Sequence, residues 1–90
     1  MIYEFRWNDW NVEHLAEHGV SPEEAEQAIC SAKRPYPRKI GQGKYIIHGR
    51  TDAGHFLQVI IVFDPSPTIY VIHARPLNEN EKRRLRRERR

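Results

Sequence analysis

Two histidine–arginine pairs carry the chemistry that this sequence offers: His48 with Arg50, and His73 with Arg75, each pair separated by one residue. Residues two apart on a strand share a face, so each pair projects an imidazole and a guanidinium to one side. Imidazole has an ordinary pKa of about 6.5 and exchanges protons near neutrality. Guanidinium presents a planar fork that meets a phosphate with two parallel hydrogen bonds. Breaking an RNA chain needs these parts: a group that takes the 2′-hydroxyl proton, one that protonates the leaving oxygen, and cations beside the phosphate. A His-x-Arg pair is a weak motif by itself, and both pairs also fit half-buried strand residues without a chemical role.

Other reactive side chains read more simply. His14 and His18 stand four apart, the spacing at which two imidazoles on a helix share a metal. Leu15 occupies the position where a zinc-protease helix has its glutamate, and no third ligand is evident, so a polar helix face without metal or cofactor is expected. Trp7 and Trp10 flank a helix start and are expected in the core rather than on a base-stacking surface. Cys30 is the only cysteine, which leaves no internal disulfide and no cysteine cage.

The net charge of +3 is strongly segregated. Residues 1–29 carry a net −6, residues 30–50 a net +6 and residues 79–90 a net +4. Such asymmetry points to a polyanionic partner for the basic segments. Arg38, Lys39 and Lys44, with Arg83, Arg84, Arg86 and Arg87, are the residues expected to meet RNA or an acidic partner protein; a solvated tail is the competing reading. Leu85 is the only apolar side chain after residue 82, so truncation there is expected to spare the fold. No apolar run reaches the roughly 20 residues that span a bilayer, and the N-terminus has no signal-peptide pattern, so a cytoplasmic location is expected.

The elements that must position these residues follow from pattern and punctuation. Ile2, Tyr3, Phe5 and Trp7 predict an edge strand, and a helix is expected from about Asp9 to His18, ended by Gly19. Ser21, Pro22 and Glu24 predict a second helix with a capping box, and Val20 and Ala25 occupy its staple positions. Pro35 and Pro37 predict an extended basic connection over residues 33–39. Strands are expected at Lys44–Arg50, Phe56–Phe63 and Thr68–Arg75, the middle one covered on both faces. Turns fall at Asp52-Ala53-Gly54 and Asp64-Pro65-Ser66-Pro67. A last helix starts near Asn78, with Glu81 as its capping partner. Alternation places Ile69, Val71, His73 and Arg75 on one face, and Ile46, His48 and Arg50 likewise. The order predicts one α+β domain over residues 1–90: an N-terminal strand, two helices, a three-stranded antiparallel meander and a C-terminal basic helix, with the helices on one face of the sheet.

Three segments resemble the BrnT family of toxins from type II toxin–antitoxin modules. Phe5-Arg6-Trp7-Asn8-Asp9 leads to Glu17-His18-Gly19-Val20-Ser21-Pro22-Glu23-Glu24-Ala25, similar to the family's opening and its K-H-G-V-S-x-E-E-A junction. Gly49-Arg50-Thr51 with Gly54 is similar to G-x-T-x-x-G-R, and Ile72-His73-Ala74-Arg75 with Glu81 and Arg83-Arg84 to I-S-A-R and its basic helix. His73 stands where the family usually has serine, and Asn8-Asp9-Trp10-Asn11 replaces an acidic-then-basic opening. The resemblance implies a RelE-like fold and a metal-independent endoribonuclease that arrests translation, and it matches Arg75 and Arg50 to family positions; with His73 and His48 from the two strand pairs they form the candidate catalytic set. It also implies a BrnA-like ribbon-helix-helix antitoxin as partner, through which the complex reaches operator DNA.

Overall fold

The first helix begins where two asparagines cap each other. Asn11 N–H donates to Asn8 Oδ1 at 3.1 Å, and Asn8 N–H donates to Asn11 Oδ1 at 2.8 Å, a reciprocal box that opens α1 (Asp9–Ala16). The helix stops two residues before the expected His18, and Gly19 turns the chain at φ 71°. In α2 (Pro22–Ser31), Glu24 N–H donates to Ser21 Oγ at 3.2 Å and Ser21 N–H to Glu24 Oε1 at 3.1 Å, as the sequence predicts. The computed structural model describes residues 4–65 and 68–88. Ile2 and Tyr3 of the expected opening strand, Ser66 and Pro67 of the expected turn, and Arg89 and Arg90 lie outside the described residues.

Five strands form one sheet in the order β1 (Glu4–Arg6), β5 (Thr68–Pro76), β4 (Phe56–Phe63), β3 (Lys44–Arg50) and β2 (Arg38–Gly41). β1 pairs in parallel with β5, and the other neighbours are antiparallel. The expected meander is therefore present, but β2 adds a fifth strand to it. Its register sets Arg38 opposite Ile46 and Lys39 opposite Tyr45. Gln42 and Gly43, at φ 55° and 73°, close the hairpin to β3. The extended connection missed this strand because of Pro35 and Pro37, which precede the ladder and so remove none of its hydrogen bonds.

One face of the sheet is the core. Ile47, Leu57, Val59, Ile61, Ile69, Val71 and Ala74 pack against Leu15, Val20, Ala25, Ala28 and Ile29 of the first two helical segments, all at most 5% exposed. α1 lies beside β5 where β1 ends. There the buried Asn11 amide donates to Arg6 O and Val71 O, both at 3.1 Å, in place of a neighbouring strand.

Two expectations about faces are corrected. Ile60 pairs with His73 but Ile61 pairs with Val71, so Ile72 is an extra residue, a β-bulge. The bulge shifts the alternation by one: Ile69 and Val71 point into the core, while His73 and Arg75 lie on the opposite face. The helices are also not confined to one face. α3 (Glu79–Glu88) starts from Asn78, whose Oδ1 accepts from Glu81 N–H at 2.9 Å. Glu81, Leu85 and Glu88 follow at helical spacing and turn toward the face opposite α2. Leu85 is 2% exposed there, and β4, whose Gln58, Ile60 and Val62 are half-buried on that side, is thereby covered. α3 is thus a packed element, and truncating after residue 82 removes a buried leucine instead of sparing the fold.

Candidate active site

The register of three antiparallel strands draws distant residues into one row. His48 stands opposite Gln58, and Gln58 opposite Arg75. The Gln58 carbonyl oxygen lies 3.1 Å from His48 Nε2 and accepts from Arg75 Nη2 at 3.2 Å, so one side chain bridges the imidazole and the guanidinium. Sequence reasoning passed over Gln58, although a lone polar residue inside Phe56–Phe63 was a legible signal. The other nitrogen of His48 meets the Tyr36 hydroxyl at 3.1 Å, and that hydroxyl donates to Glu88 Oε1 at 3.0 Å.

Both ends of the row are held by carboxylates of α3. Arg75 donates to Glu81 Oε1 and Oε2 at 2.8 and 2.7 Å, a two-pronged pair. Arg38 donates to Glu88 at 2.8 Å. Arg75 is therefore half-buried and engaged although it lies at the strand end. Hydrogen bonding to Arg75 and then to the Asn78 backbone N–H holds the Glu81 carboxyl down at about 2, from 4.5. A carboxyl depressed in the folded state stabilises the fold above its unfolded pKa and loses that contribution as pH falls through its folded one. Stability should decline between pH 4.5 and about 2, and Glu81→Gln should flatten that part of the curve. Urea midpoints measured across this window check it; an unchanged acid decline in the variant would assign the effect elsewhere.

His73, one row further along β5, joins a second group. Its ring centroid lies 4.7 Å from that of His18 and 5.5 Å from that of His14. The two α1-side histidines read as a polar helix face thus meet a third imidazole. Nothing in the sequence fixed that juxtaposition, because it depends on α1 docking beside β5. Among the described residues no group of three donors is arranged to hold a metal ion. Burial, then the nearby His18, His14 and Arg75, lowers the pKa of His73 below its ordinary value, and its buried Nδ1 has no hydrogen-bond partner. The imidazole is thereby kept neutral at neutral pH, the form in which a nitrogen lone pair can accept a proton.

The tryptophans divide. Trp7 is half-buried against the core and donates to Glu26 Oε2 at 2.7 Å. Trp10, expected in the core, is 55% exposed. Its ring stacks on His14 at 5.0 Å between centroids and on Tyr70 at 6.5 Å, with interplanar angles of 10° and 21°.

The remaining candidates are spread around this face. Arg50 shares the His48 side of β3 at the strand end, with its guanidinium 5.8 Å from the Phe56 ring. Lys44 opens the same strand opposite Val62. Lys39 is exposed on β2, and Arg83, Arg84, Arg86 and Arg87 are exposed on α3. The structure therefore unites His48, Arg75 and Arg38 through hydrogen bonds, sets His73 beside them, and leaves Arg50, Lys39, Lys44 and the α3 arginines at the periphery.

A five-stranded mixed sheet with two helical segments packed into its core and a basic helix across its other face defines the class as an α+β fold of the BrnT type. Among solved structures, the chain is similar to the 1.1 Å crystal structure of the ribonuclease toxin BrnT from Brucella abortus. The TM-score is 0.70 at 18% identity, over 87% of this chain and 100% of that one. No protein-family model and no curated protein matches the chain. No helix among the described residues is long and apolar enough to cross a membrane.

Proposed function

We propose that this chain is a BrnT-family toxin of a type II toxin–antitoxin module, a metal-independent endoribonuclease that arrests translation. The observation that carries this reading is the His48–Gln58–Arg75 row with His73 beside it on one sheet face. The fold likeness to a ribonuclease toxin supports it. In this reading His73, neutral at pH 7, takes the proton of a ribose 2′-hydroxyl. The 2′-oxygen attacks phosphorus, the bond to the 5′-oxygen breaks, and His48 returns a proton to the leaving oxygen. Arg75 holds the phosphate, exchanging the Glu81 carboxylate for two phosphate oxygens of similar spacing. Arg50, Lys44, Lys39, Arg38 and the exposed α3 arginines guide the RNA strand. The partner is a BrnA-like ribbon-helix-helix antitoxin, and operator DNA is met only through that complex, in the cytoplasm.

A second reading is favoured by one observation, the prior engagement of Arg75 and Arg38 by α3 carboxylates. It is a catalytically inactive RNA-binding or antitoxin-binding regulatory domain on the same fold. End-labelled single-stranded RNA incubated with the purified protein in EDTA separates the two. The toxin reading expects cleavage to fragments ending in a 2′,3′-cyclic phosphate. RNA that stays intact, or is cut only after a divalent ion is added, overturns it.

A further inference from the structure

Each ring nitrogen of His48 meets an oxygen, and a third residue fixes the role of each oxygen. On one side, the Tyr36 hydroxyl has a single proton and gives it to Glu88 Oε1 at 3.0 Å. Burial, and then that bond, raise the pKa of the hydroxyl, so it keeps its proton. Burial favours a neutral Glu88, but the bonds from Tyr36 and from Arg38, the latter at 2.8 Å, outweigh it and hold the carboxyl below its ordinary range. The acceptor is therefore a carboxylate, and a Tyr36 proton turned toward His48 would leave two lone-pair oxygens facing each other. The hydroxyl is left to accept from Nδ1, 3.1 Å away. On the other side, the Gln58 carbonyl oxygen lies 3.1 Å from Nε2 and accepts from Arg75 Nη2 at 3.2 Å. Turning the amide over would set its NH2 group against that guanidinium, donor against donor. The oxygen therefore faces Nε2 as well, and a carbonyl oxygen only accepts.

We infer that this network holds His48 as the imidazolium, with a proton on each ring nitrogen, and that Tyr36 and Glu88 are positioning residues for a general acid; the catalytic half of this rests on the ribonuclease reading. A neutral imidazole has one N–H and one lone pair, so it would set that lone pair against the oxygen of Tyr36 or of Gln58. Charge balance agrees. Within the bonded row, Arg38, His48 and Arg75 set three cations against the Glu81 and Glu88 carboxylates. The surplus positive charge is what one phosphodiester neutralises. His73 differs in kind, because its buried Nδ1 has no hydrogen-bond partner to hold a second proton. One imidazole bonded to acceptors at both nitrogens and one without an acceptor at Nδ1 are pushed toward opposite protonation states, as an acid and a base require.

The test is a 15N correlation spectrum of the imidazole rings at pH 7.5, where an imidazole without such partners is about one-tenth charged. His48 is assigned by the signals missing in His48→Gln. In the wild-type protein both His48 nitrogens are expected to carry protons, and one bare nitrogen overturns the inference. Tyr36→Phe keeps the ring and removes the acceptor at Nδ1, so that nitrogen should become bare. A His48 still protonated on both nitrogens in this variant would deny Tyr36 its positioning role. Cleavage is then compared on two RNAs, one of ordinary linkage and one with a bridging 5′-sulfur at the cleaved position, whose thiolate leaves without taking a proton. Tyr36→Phe should slow the first by about tenfold, following the loss of charged imidazole, and leave the second little changed. Equal slowing of both would give Tyr36 a role in the fold alone and overturn the positioning role. A doubly protonated His48 in a wild-type protein that cleaves neither RNA would remove the ribonuclease reading and leave the charged His48 standing.

Discussion

Arg75→Ala is expected to lower RNA cleavage by roughly 30- to 1,000-fold, the effect of removing one charge-assisted contact that tightens in the transition state. The guanidinium already holds a planar two-oxygen anion, Glu81, at 2.7 and 2.8 Å. A phosphate diester presents two oxygens to the same fork. A side chain at a strand end, as Arg75 is beside Pro76, is ordinarily removed at little cost in melting temperature. The pair with Glu81 and the bond to Gln58 alter that expectation. The alanine variant strands a mostly buried carboxylate, which costs about 1–3 kcal/mol, so some loss of thermal stability should accompany the loss of rate. The double variant Arg75→Ala/Glu81→Gln removes the stranded charge and separates the effects. Single-turnover cleavage well below the melting temperature is the measurement. Double-variant activity within threefold of wild type would remove Arg75 from the site, whatever its stability.

Gly49→Ala is expected to destabilise the protein by at least about 3 kcal/mol, beyond the usual cost of overpacking a core. β3 crosses α2 at Gly49, and a Cβ built there would sit 1.8 Å from Ala28 O and 2.6 Å from Ala28 C. Those are backbone atoms of a helix, so no rotamer change relieves the clash; the helix must move off the sheet. Ser31 would be displaced with it. Its hydroxyl donates to Arg50 O at 2.8 Å and accepts from Arg50 N–H at 2.9 Å, tying the end of α2 to the end of β3. A domain of this size has on the order of 5–13 kcal/mol in total, so the variant should melt far earlier and His48, next to the clash, should leave its row. Chemical denaturation of the purified variant checks this. A midpoint within about 0.5 M urea of wild type would show that helix and strand can separate at little cost. The Gly-x-Thr element at this point is therefore a packing device: Gly49 admits the helix, and Thr51, 3% exposed, accepts from His55 N–H at 3.0 Å to shape the following turn.

Local chemistry made much of the fold legible. Ser21, Pro22 and Glu24 determined where α2 starts, because capping needs only neighbours in sequence. Asn78 with Glu81 determined the start of α3 in the same way. The strands Lys44–Arg50 and Phe56–Phe63 have the bounds that their β-rich composition and flanking turns predict. His48 and Arg75 were visible as residue types suited to phosphate chemistry.

Tertiary structure decided what those residues touch. The bulge at Ile72 moved His73 and Arg75 to the face opposite Val71, and a one-residue slip in pairing leaves no mark on composition. The strand at Arg38–Gly41 exists because β3 offers it an edge. Gln58 became a bridge only through cross-strand register, and His14 and His18 met His73 only through the docking of α1 against β5. Asn11 fixes that docking by bonding to two strand carbonyls. Sequence specifies interactions that close within one helical turn or one hairpin. The site joins residues as far apart in sequence as His14 and His73, 59 positions, and their meeting depends on which apolar faces bury together.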